Sequence, residues 1–222
     1  MIGAVVQARM SSARLPGKVL LPVAGRPLLG FVLERVALAT DTVIVATSDQ
    51  PEDDPVAQFA SEAGVFAFRG SLPDVAGRFA ALADSFGLDA LVRVSGDSPL
   101  IDPALVDEAI SLFGPGDVDL VTNVFPRSFP VGQSVEVLSR AALDRVLAAT
   151  DDASDREHVT RYLYAHHEDF RIQNFAHERD VSHVRHVVDT EEDLRRVEAI
   201  FAAMDRDHTA YGVDDLLRLA PG

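Results

Sequence analysis

Cysteine and tryptophan are absent from the 222 residues of this chain, and lysine occurs only once among its 20 basic residues. Without cysteine the protein has no disulfide framework, no thiolate nucleophile and no cysteine-based zinc site. No uncharged apolar run approaches the roughly 18 residues that a membrane-spanning helix needs, and the amino terminus lacks the basic region of a secretory signal. We therefore expect a cytoplasmic protein with no membrane partner.

Positive charge is also scarce, because the net charge is −15 and the isoelectric point is near 4.7. Nonspecific binding to nucleic acid needs widely spread positive charge that neutralises phosphates, so this composition argues against a nucleic-acid partner. A content of 47% hydrophobic and 25% charged residues is that of an ordinary globular protein. The length suits one α/β domain over residues 1–222, and the expected anionic partner is small.

One short segment has the opposite charge. The first 33 residues contain no acidic residue, and positions 7–18 hold three cations, Arg9, Arg14 and Lys18. This basic loop follows an apolar run at 2–6 that predicts a buried strand, so it is a strand-to-helix loop of the kind that binds ligands in open α/β sheets. A lone lysine among arginines suits a compact charge on a phosphate oxygen. The alternative is a solvated basic loop with a chance lysine.

Hydrophobic periodicity in the first half alternates between strand and helix. After the first strand, the pattern predicts strands at 42–47, 65–68 and 90–95 and helices at 27–40, 55–63 and 74–86. Such alternation implies parallel strands joined by crossover helices that cover both faces of the sheet.

The second half is less regular. Strands are predicted at 119–123, 134–138, 171–175 and 185–189. Helices are predicted at 103–113 with Asp102 as N-cap, at 140–149, from a capping box at Ser154 and Glu157 to about 166, from Thr190 to about 204, and at 211–219. No repeat or linker divides the sequence.

Several nucleotide and catalytic motifs are excluded by their own spacing. A Walker A loop that ends in Gly17 and Lys18 needs glycine at position 12 and serine or threonine at position 19, whereas the chain has Ser12 and Val19. No Gly-x-Gly-x-x-Gly follows the first strand, and no Gly-x-Ser-x-Gly is present. The seven histidines form no convincing set of metal ligands.

Two aspartates follow predicted strands at the edge where such sheets bind ligands. Asp97 comes just after the fourth predicted strand, and Asp189 ends the last one. Each has a structural alternative as a turn residue, but Asp102 and Thr190 already provide the nearby helix caps. Two carboxylates that converge beside a phosphate-bearing ligand suit magnesium, which commonly takes only one or two protein carboxylates.

The segment at 7–20 (QARMSSARLPGKVL) resembles the nucleotide-binding loop of CMP-sugar synthetases, and within them the spore-coat polysaccharide cytidylyltransferase branch. Further matches follow in the expected order along nearly the whole chain, at 45–49 (VATSD), 68–71 (FRGS), 96–102 (GDSPLID), 156–160 (REHVT) and 188–194 (VDTEEDL). The resemblance implies a Rossmann-like, three-layer α/β/α nucleotidyltransferase with a mainly parallel sheet and a small irregular β-containing insertion. It also implies transfer of CMP from CTP to a hydroxyl of a sugar acid, with magnesium and release of pyrophosphate.

Roles for individual residues follow from the same resemblance. It implies catalytic roles for Arg9, Arg14, Lys18 and Asp97, and magnesium binding by Asp97 and Asp189. The implied nucleotide-binding residues are Gln7, Ala8, Arg9, Ser11, Ser12, Arg14, Lys18, Arg69, Ser71 and Ser95. The implied acceptor-binding residues are Asn123, Arg127, Glu136, Arg156 and His158. The resemblance further implies a homodimer formed through residues 124–180.

One segment departs from the pattern of related sequences. Where they tend to read Pro-Asp-Gly-x-Asp-Val-Glu, residues 130–136 read Pro-Val-Gly-Gln-Ser-Val-Glu, so acids are missing at positions 131 and 134 beside the implied acceptor pocket. This departure leaves the acceptor open. It also keeps a noncatalytic nucleotide-binding module as an alternative. A nucleotidyltransferase that uses another nucleoside triphosphate is a second alternative, because related folds share the basic loop and the aspartate but differ at the base.

Overall fold

A sheet of seven strands lies at the centre of the computed structural model, which describes residues 1–114 and 117–219. The strands of this sheet and of a two-stranded ribbon are β1 (Ile2–Gln7), β2 (Pro22–Val23), β3 (Arg26–Pro27), β4 (Val43–Ser48), β5 (Phe66–Gly70), β6 (Ala90–Ser95), β7 (Leu120–Thr122), β8 (Glu136–Ser139) and β9 (Ile172–Asn174). The main sheet has the spatial order β5-β4-β1-β6-β8-β7-β9, and β2 pairs with β3 in the ribbon. Residues 115, 116 and 220–222, which the single-domain prediction also covers, lie outside the described part.

Helices connect the strands and cover both faces of the main sheet. They are α1 (Leu28–Ala37), α2 (Asp54–Glu62), α3 (Val75–Phe86), α4 (Pro103–Phe113), α5 (Arg140–Ala149), α6 (Ala153–Glu157), α7 (Arg161–Ala165), α8 (Glu191–Ala202) and α9 (Val213–Leu219). Short 3-10 turns occur at Lys18–Leu20, Pro51–Asp53, His167–Asp169 and His208–Ala210. Within 1–114 and 117–219, no helix is long and apolar enough to cross a membrane.

The order of the strands reverses beside β1. This strand pairs in parallel with β4 on one side and with β6 on the other, so that Val6 lies opposite both Val45 and Val94. Along the chain, β4 and β5 follow β1 and lie on its first side. The helix α3 then connects β5 to β6, which lies on the second side. Ligands of open α/β sheets bind outside the carboxyl ends of the strands at such a switch point. β8 runs antiparallel to β6, so its first residue, Glu136, lies at this same edge.

Alternating side chains of β1 pack into two core layers. Ala4 and Val6 belong to the layer that contains α1, α4 and α8, whereas Val5 belongs to the layer that contains α3 and α5. All three side chains are fully buried. A strand covered on both faces needs a continuous apolar sequence, and the run at 2–6 has this character. The three-layer α/β/α fold with a mainly parallel sheet is thereby confirmed.

Several predicted elements and caps match the structure. β6, α4 and α5 have the bounds predicted from the sequence. Asp102 caps α4 by accepting the backbone N–H of Ala104, and Thr190 forms a capping box with Asp193 at the start of α8. These caps fix the helix starts that flank the ends of the sheet.

The predicted single helix from Ser154 to about residue 166 is wrong. Asp152 is the N-cap, because its side chain accepts the backbone N–H groups of Ser154 and Asp155. The helix α6 ends at Glu157, and the backbone leaves the helical region at His158, with φ −107° and ψ 73°, before α7 begins. The predicted capping box of Ser154 and Glu157 is therefore replaced by a cap at Asp152, two residues before the predicted N-cap.

The predicted strand at 185–189 is also wrong. The backbone N–H of His186 donates to the carbonyl of Val131, and that of Val188 donates to the carbonyl of Asp97. An isolated bridge also joins this segment to Val131. Residues 185–189 thus cross the end of the sheet and pair with loops, which brings Asp189 next to the end of β6.

Candidate active site

An open cavity of about 340 Å³ lies at the carboxyl ends of β1 and β6. Its lining residues come from the basic loop, the end of β6 and the turn before α8, and they are Gln7, Ala8, Arg9, Ser11, Ser12, Ala13, Arg14, Lys18, Val19, Arg93, Ser95, Asp97 and Asp189. The volume suits a small-molecule ligand. Apart from Ala13, Val19 and Arg93, the sequence analysis named all of these residues as site residues.

Close approach of two backbones brings the halves of the cavity together. The N–H of Gly96 donates to the carbonyl of Gln7 at 2.8 Å. A Cβ at Gly96 would lie 2.9 Å from the Cβ of Ala8 and 2.9 Å from the carbonyl oxygen of Gln7, so the approach requires glycine. Asp97, the next residue, is consequently held against the basic loop.

Lys18 joins the two predicted metal ligands. Gly17, in the left-handed region at φ 71°, ends the basic loop and sets Lys18 at the start of a 3-10 turn. The ammonium Nζ of Lys18 donates to Oδ2 of Asp97 at 2.5 Å and to Oδ1 of Asp189 at 2.8 Å. The three side chains are only 11%, 16% and 18% exposed, so this ion triad is largely removed from solvent. The structure thus brings together one cation and two carboxylates that are widely separated in the sequence.

Three cations surround the carboxylate of Asp189. Besides Lys18, Arg14 lies 2.9 Å from Oδ1 and Arg185 lies 3.2 Å from Oδ2. Burial alone would raise the pKa of this carboxyl, but the hydrogen bond and charge of Lys18, together with both arginines, hold its pKa below the usual range. Asp189 is therefore a carboxylate at neutral pH.

The start of α8 fixes the backbone of Asp189. The carboxylate of Asp193 accepts the backbone N–H of Asp189 at 3.1 Å and that of Thr190 at 3.2 Å. Arg185 donates to both aspartates and so holds the two carboxylates in place. Sequence reasoning identified Asp193 as part of a cap but missed Arg185, whose signal is its position four residues before Asp189.

Arg93 is a further cavity residue that sequence reasoning missed. It lies within the otherwise apolar strand β6, and its guanidinium donates to the buried carboxylate of Glu136 and, at 3.5 Å, to Oε1 of Gln7. A charged residue in the middle of a buried strand was the available signal, since such a residue needs a partner across the sheet. The register of β6 and β8 sets Glu136 directly opposite it.

Arg9 contacts a residue from the opposite side of the cavity mouth. Its Nη2 lies 3.3 Å from Oε1 of Glu157, with both side chains about 40% exposed (37% and 43%). The sequence analysis had assigned Glu157 to a helix cap. Because Asp152 caps that helix, the carboxylate of Glu157 is available to Arg9.

Two residues predicted to bind nucleotide lie outside the lining of the cavity. Arg69 donates to the carbonyl oxygens of Ser48 and Gln50 at 2.9 and 2.8 Å. The hydroxyl of Ser71 accepts the N–H of Asp74 at 3.2 Å, which supports the start of α3. Their contact with a nucleotide stays a prediction, and the geometry gives each a local structural role.

Two residues predicted to bind the acceptor are structural in this fold. Asn123 is fully buried, and its side-chain amide bonds to the backbones of Gln133 and Val135. The guanidinium of Arg156 donates to the carbonyls of Thr150 and Leu147, which ties the end of α5 to α6. The buried amide of Asn123 therefore supports the backbone around β8, and Arg156 is directed into the α5–α6 connection, while contact of either residue with an acceptor stays a prediction.

The other predicted acceptor residues range from buried Glu136 to exposed His158. Glu136 accepts from the hydroxyl of Tyr164 as well as from Arg93. Burial, followed by the charge of Glu136, raises the pKa of Tyr164, so its hydroxyl stays protonated. Arg127 donates to the hydroxyl of Ser134 at 2.9 Å, and burial lowers its pKa. His158 is exposed at the end of α6.

The fold and the site together define an α/β protein with a cavity at the switch point of its sheet, where cations and carboxylate oxygens converge as a phosphorylated ligand and a divalent cation require. The chain belongs to the cytidylyltransferase family, because the family model described as Cytidylyltransferase matches residues 3–210. This match covers the basic loop and both aspartates of the cavity.

Individual relatives agree with this membership. The chain is 33% identical to the spore coat polysaccharide biosynthesis protein SpsF of Bacillus subtilis, over 89% of this chain and 85% of that protein. It is 40% identical to a 3-deoxy-manno-octulosonate cytidylyltransferase of Geobacter sulfurreducens, over 50% of this chain and 44% of that protein. A solved cytidylyltransferase from Leptospira borgpetersenii superimposes with a TM-score of 0.94 at 32% identity, covering 98% of this chain and 92% of its own.

Proposed function

We propose that this protein transfers CMP from CTP to a hydroxyl of a small sugar acid, with release of pyrophosphate. The observation that carries the proposal is the meeting of Lys18, Asp97 and Asp189 in one cavity with Arg14 beside them. A triphosphate and a divalent cation need this combination of positive and negative groups in one place. The relative that is named a 3-deoxy-manno-octulosonate cytidylyltransferase supports a sugar acid as the acceptor.

Asp97 and Asp189 would hold magnesium. Both carboxylates reach the same Nζ atom of Lys18, so they are close enough to share one ion. Magnesium prefers oxygen ligands and commonly takes one or two carboxylates, with water and phosphate oxygens in the rest of its shell. Within 1–114 and 117–219, no group of three or more histidine, cysteine or acidic residues is placed to hold a metal. The bound ion would neutralise charge on the phosphates.

The cations of the basic loop would bind the phosphates. Arg14 and Lys18 now pair with carboxylates, so binding of the nucleotide exchanges one anionic partner for another. Each charge-assisted hydrogen bond to a departing pyrophosphate would contribute about 1.5 to 3 kcal/mol. Transfer of a nucleotidyl group depends mainly on such positioning and charge neutralisation.

The polar groups at the start of β8 would receive the acceptor. Arg93 of β6 lines the same cavity, and its guanidinium pairs with Glu136, the first residue of β8. Glu136 can accept hydrogen bonds from hydroxyls, and Arg127 lies beside it with a guanidinium that suits a carboxylate. These two groups match the two functional classes of a sugar acid.

Pyrophosphate release tests the proposal directly. The protein is incubated with magnesium and a panel of keto-sugar acids, once each with CTP, UTP, GTP and ATP. We expect release only with CTP and only with an acidic sugar. Release with another triphosphate would identify a different nucleotidyltransferase. CTP binding without turnover on any acceptor would identify a noncatalytic nucleotide-binding module.

Assembly and location remain proposals of the same kind. A homodimer through residues 124–180 is expected to sediment at twice the monomer mass of 24.0 kDa. A cytoplasmic location is expected for an enzyme whose substrate is CTP. Sedimentation of the purified protein and fractionation of cells test these two statements.

A further inference from the structure

The buried carboxylate of Asp53 lies beneath the basic loop and outside the lining of the cavity. Asp53 ends the 3-10 turn that follows β4 and is 2% exposed. Its Oδ1 accepts the backbone N–H of Met10 at 2.6 Å, across 43 residues of sequence. Its Oδ2 accepts the N–H of Ser48 at 3.3 Å and also the hydroxyl of Ser48. A carboxylate is buried at a large cost unless hydrogen bonds satisfy it, and here those bonds go to the loop that carries the cations.

Met10 is the residue on which the basic loop closes. Its carbonyl accepts the N–H of Ser12 at 3.0 Å and the N–H of Gly17 at 2.8 Å. Residues 12 and 17 of the loop are therefore both bonded to Met10, and Lys18 directly follows Gly17. A bond that fixes the amide of Met10 consequently fixes both ends of the loop.

Arg69 supports the turn that carries Asp53. Its Nε donates to the carbonyl of Ser48 and its Nη2 to the carbonyl of Gln50. Its Nη1 lies 2.6 Å from the carboxylate of Asp54, the residue after Asp53. A guanidinium on β5 thus holds both sides of the turn between β4 and α2.

We propose that Asp53 is a positioning residue for the nucleotide, since it fixes the backbone at Met10 so that the basic loop presents its three cations to the triphosphate. Arg69 acts one step further away, through the turn after β4. The inference rests on the proposed function for the identity of the ligand. Because the loop faces the phosphates, loss of Asp53 weakens the binding of every ligand that carries them, whatever its base.

Two neighbouring variants with the same change of charge test this role. Asp53→Asn alters the buried carboxylate, and Glu52→Gln alters an exposed acid of the same turn. The probes are CTP and inorganic tripolyphosphate, each titrated calorimetrically with magnesium at one ionic strength. We expect Asp53→Asn to weaken both probes by about tenfold or more, as the loss of a charge-assisted bond implies, and Glu52→Gln to leave both unchanged.

Amide hydrogen exchange supplies a measurement that needs no ligand. We expect faster exchange at residues 8–17 in Asp53→Asn than in Glu52→Gln, with unchanged exchange in β6. A folded Asp53→Asn protein that binds tripolyphosphate and exchanges like Glu52→Gln would overturn the proposal. If Asp53→Asn does not fold, Ser48→Ala takes its place in both measurements, because this change removes one hydrogen-bond donor to the same carboxylate. Unchanged tripolyphosphate binding and unchanged exchange in Ser48→Ala would likewise overturn the proposal.

Arg69→Ala separates positioning from contact with the base. A positioning role predicts that CTP and tripolyphosphate weaken by the same factor, whereas loss of CTP affinity alone would overturn the role assigned to Arg69. If the unmodified protein binds neither probe, the proposed function fails. The exchange measurement then still decides whether Asp53 fixes the loop.

Discussion

Replacement of Lys18 with glutamine is expected to increase the affinity of the nucleotide-free protein for a divalent cation, although it removes a residue that we assign to the triphosphate. The ammonium of Lys18 bonds to both carboxylates that would hold the metal, at 2.5 and 2.8 Å. A divalent cation that approaches Asp97 and Asp189 therefore has to displace Lys18. The glutamine variant has no such competing charge.

The size of the effect follows from these two bonds. Each charge-assisted hydrogen bond contributes about 1.5 to 3 kcal/mol, and the metal has to break at least one of them. Removal of one bond of about 1.5 kcal/mol corresponds to a gain of about tenfold in affinity. Arg185 and Arg14 still contact Asp189 in the variant, so this lower figure is the appropriate expectation.

Titration with Mn²⁺ in the absence of nucleotide provides the assay, with free Mn²⁺ measured by electron paramagnetic resonance. Arg14→Gln is the matched control, because the Arg14 side chain is 63% exposed and contacts Asp189, one of the two carboxylates. Its effect is expected to be smaller and to disappear with added salt. Thermal unfolding establishes that each variant is folded.

The reasoning would be refuted if folded Lys18→Gln protein bound Mn²⁺ no more tightly than the unmodified protein. It would also be refuted if the gain survived in the double variant Lys18→Gln with Asp97→Asn, since the second change removes one of the two proposed metal ligands. With nucleotide present, the expected order reverses, because Lys18 is then needed on the phosphates.

Three further outcomes are expected. Asp97→Asn lowers CTP-dependent pyrophosphate release by about 100-fold or more without a change in thermal unfolding, and near-normal release would contradict its role. Glu157→Gln removes the anionic partner of Arg9 and tightens tripolyphosphate binding a few-fold at low salt, a difference that high salt abolishes; equal binding at low salt would contradict it. Burial lowers the pKa of the fully buried His186 to about 4. In the unfolded chain this histidine is protonated below about pH 6.5, whereas in the folded chain it is protonated only below about pH 4. The free energy of unfolding therefore falls by roughly 3 kcal/mol from this group as the pH falls through this window. Denaturant titrations at a series of pH values should show a weaker pH dependence of this free energy for His186→Leu, and the full pH dependence for the exposed control His158→Gln.

Local patterns predicted much of the fold and the centre of the site. The apolar run in β1 predicted a strand buried on both faces, and the caps at Asp102 and Thr190 fixed two helix starts. The charge of the basic loop and the positions of two aspartates after β6 and before α8 predicted which residues line the cavity. These features depend on periodicity, capping and the geometry of parallel sheets, which act over a few residues.

Other site residues depended on partners far away in the sequence. Arg93 needed the register of β6 with β8, and Glu157 needed the true start of α6, before either could be assigned a contact. The sequence at 185–189 predicts a strand, but pattern alone does not say whether such a segment pairs with a strand or with a loop. Asp53 carried no local signal for its bond to Met10.

The sequence by itself determined the alternation of strands and helices around the parallel part of the sheet, the buried central strand, the basic loop and the placement of carboxylates at the edge of the sheet. These follow from hydrophobic period, caps and the right-handed connection of parallel strands, which are properties of short segments. Only the tertiary structure decided that Lys18 sits between Asp97 and Asp189, that Arg93 faces Glu136 and that Asp53 holds Met10. Hydrogen bonds and ion pairs form within about 3 Å, and atoms this close but many residues apart are brought together only when the whole chain has packed.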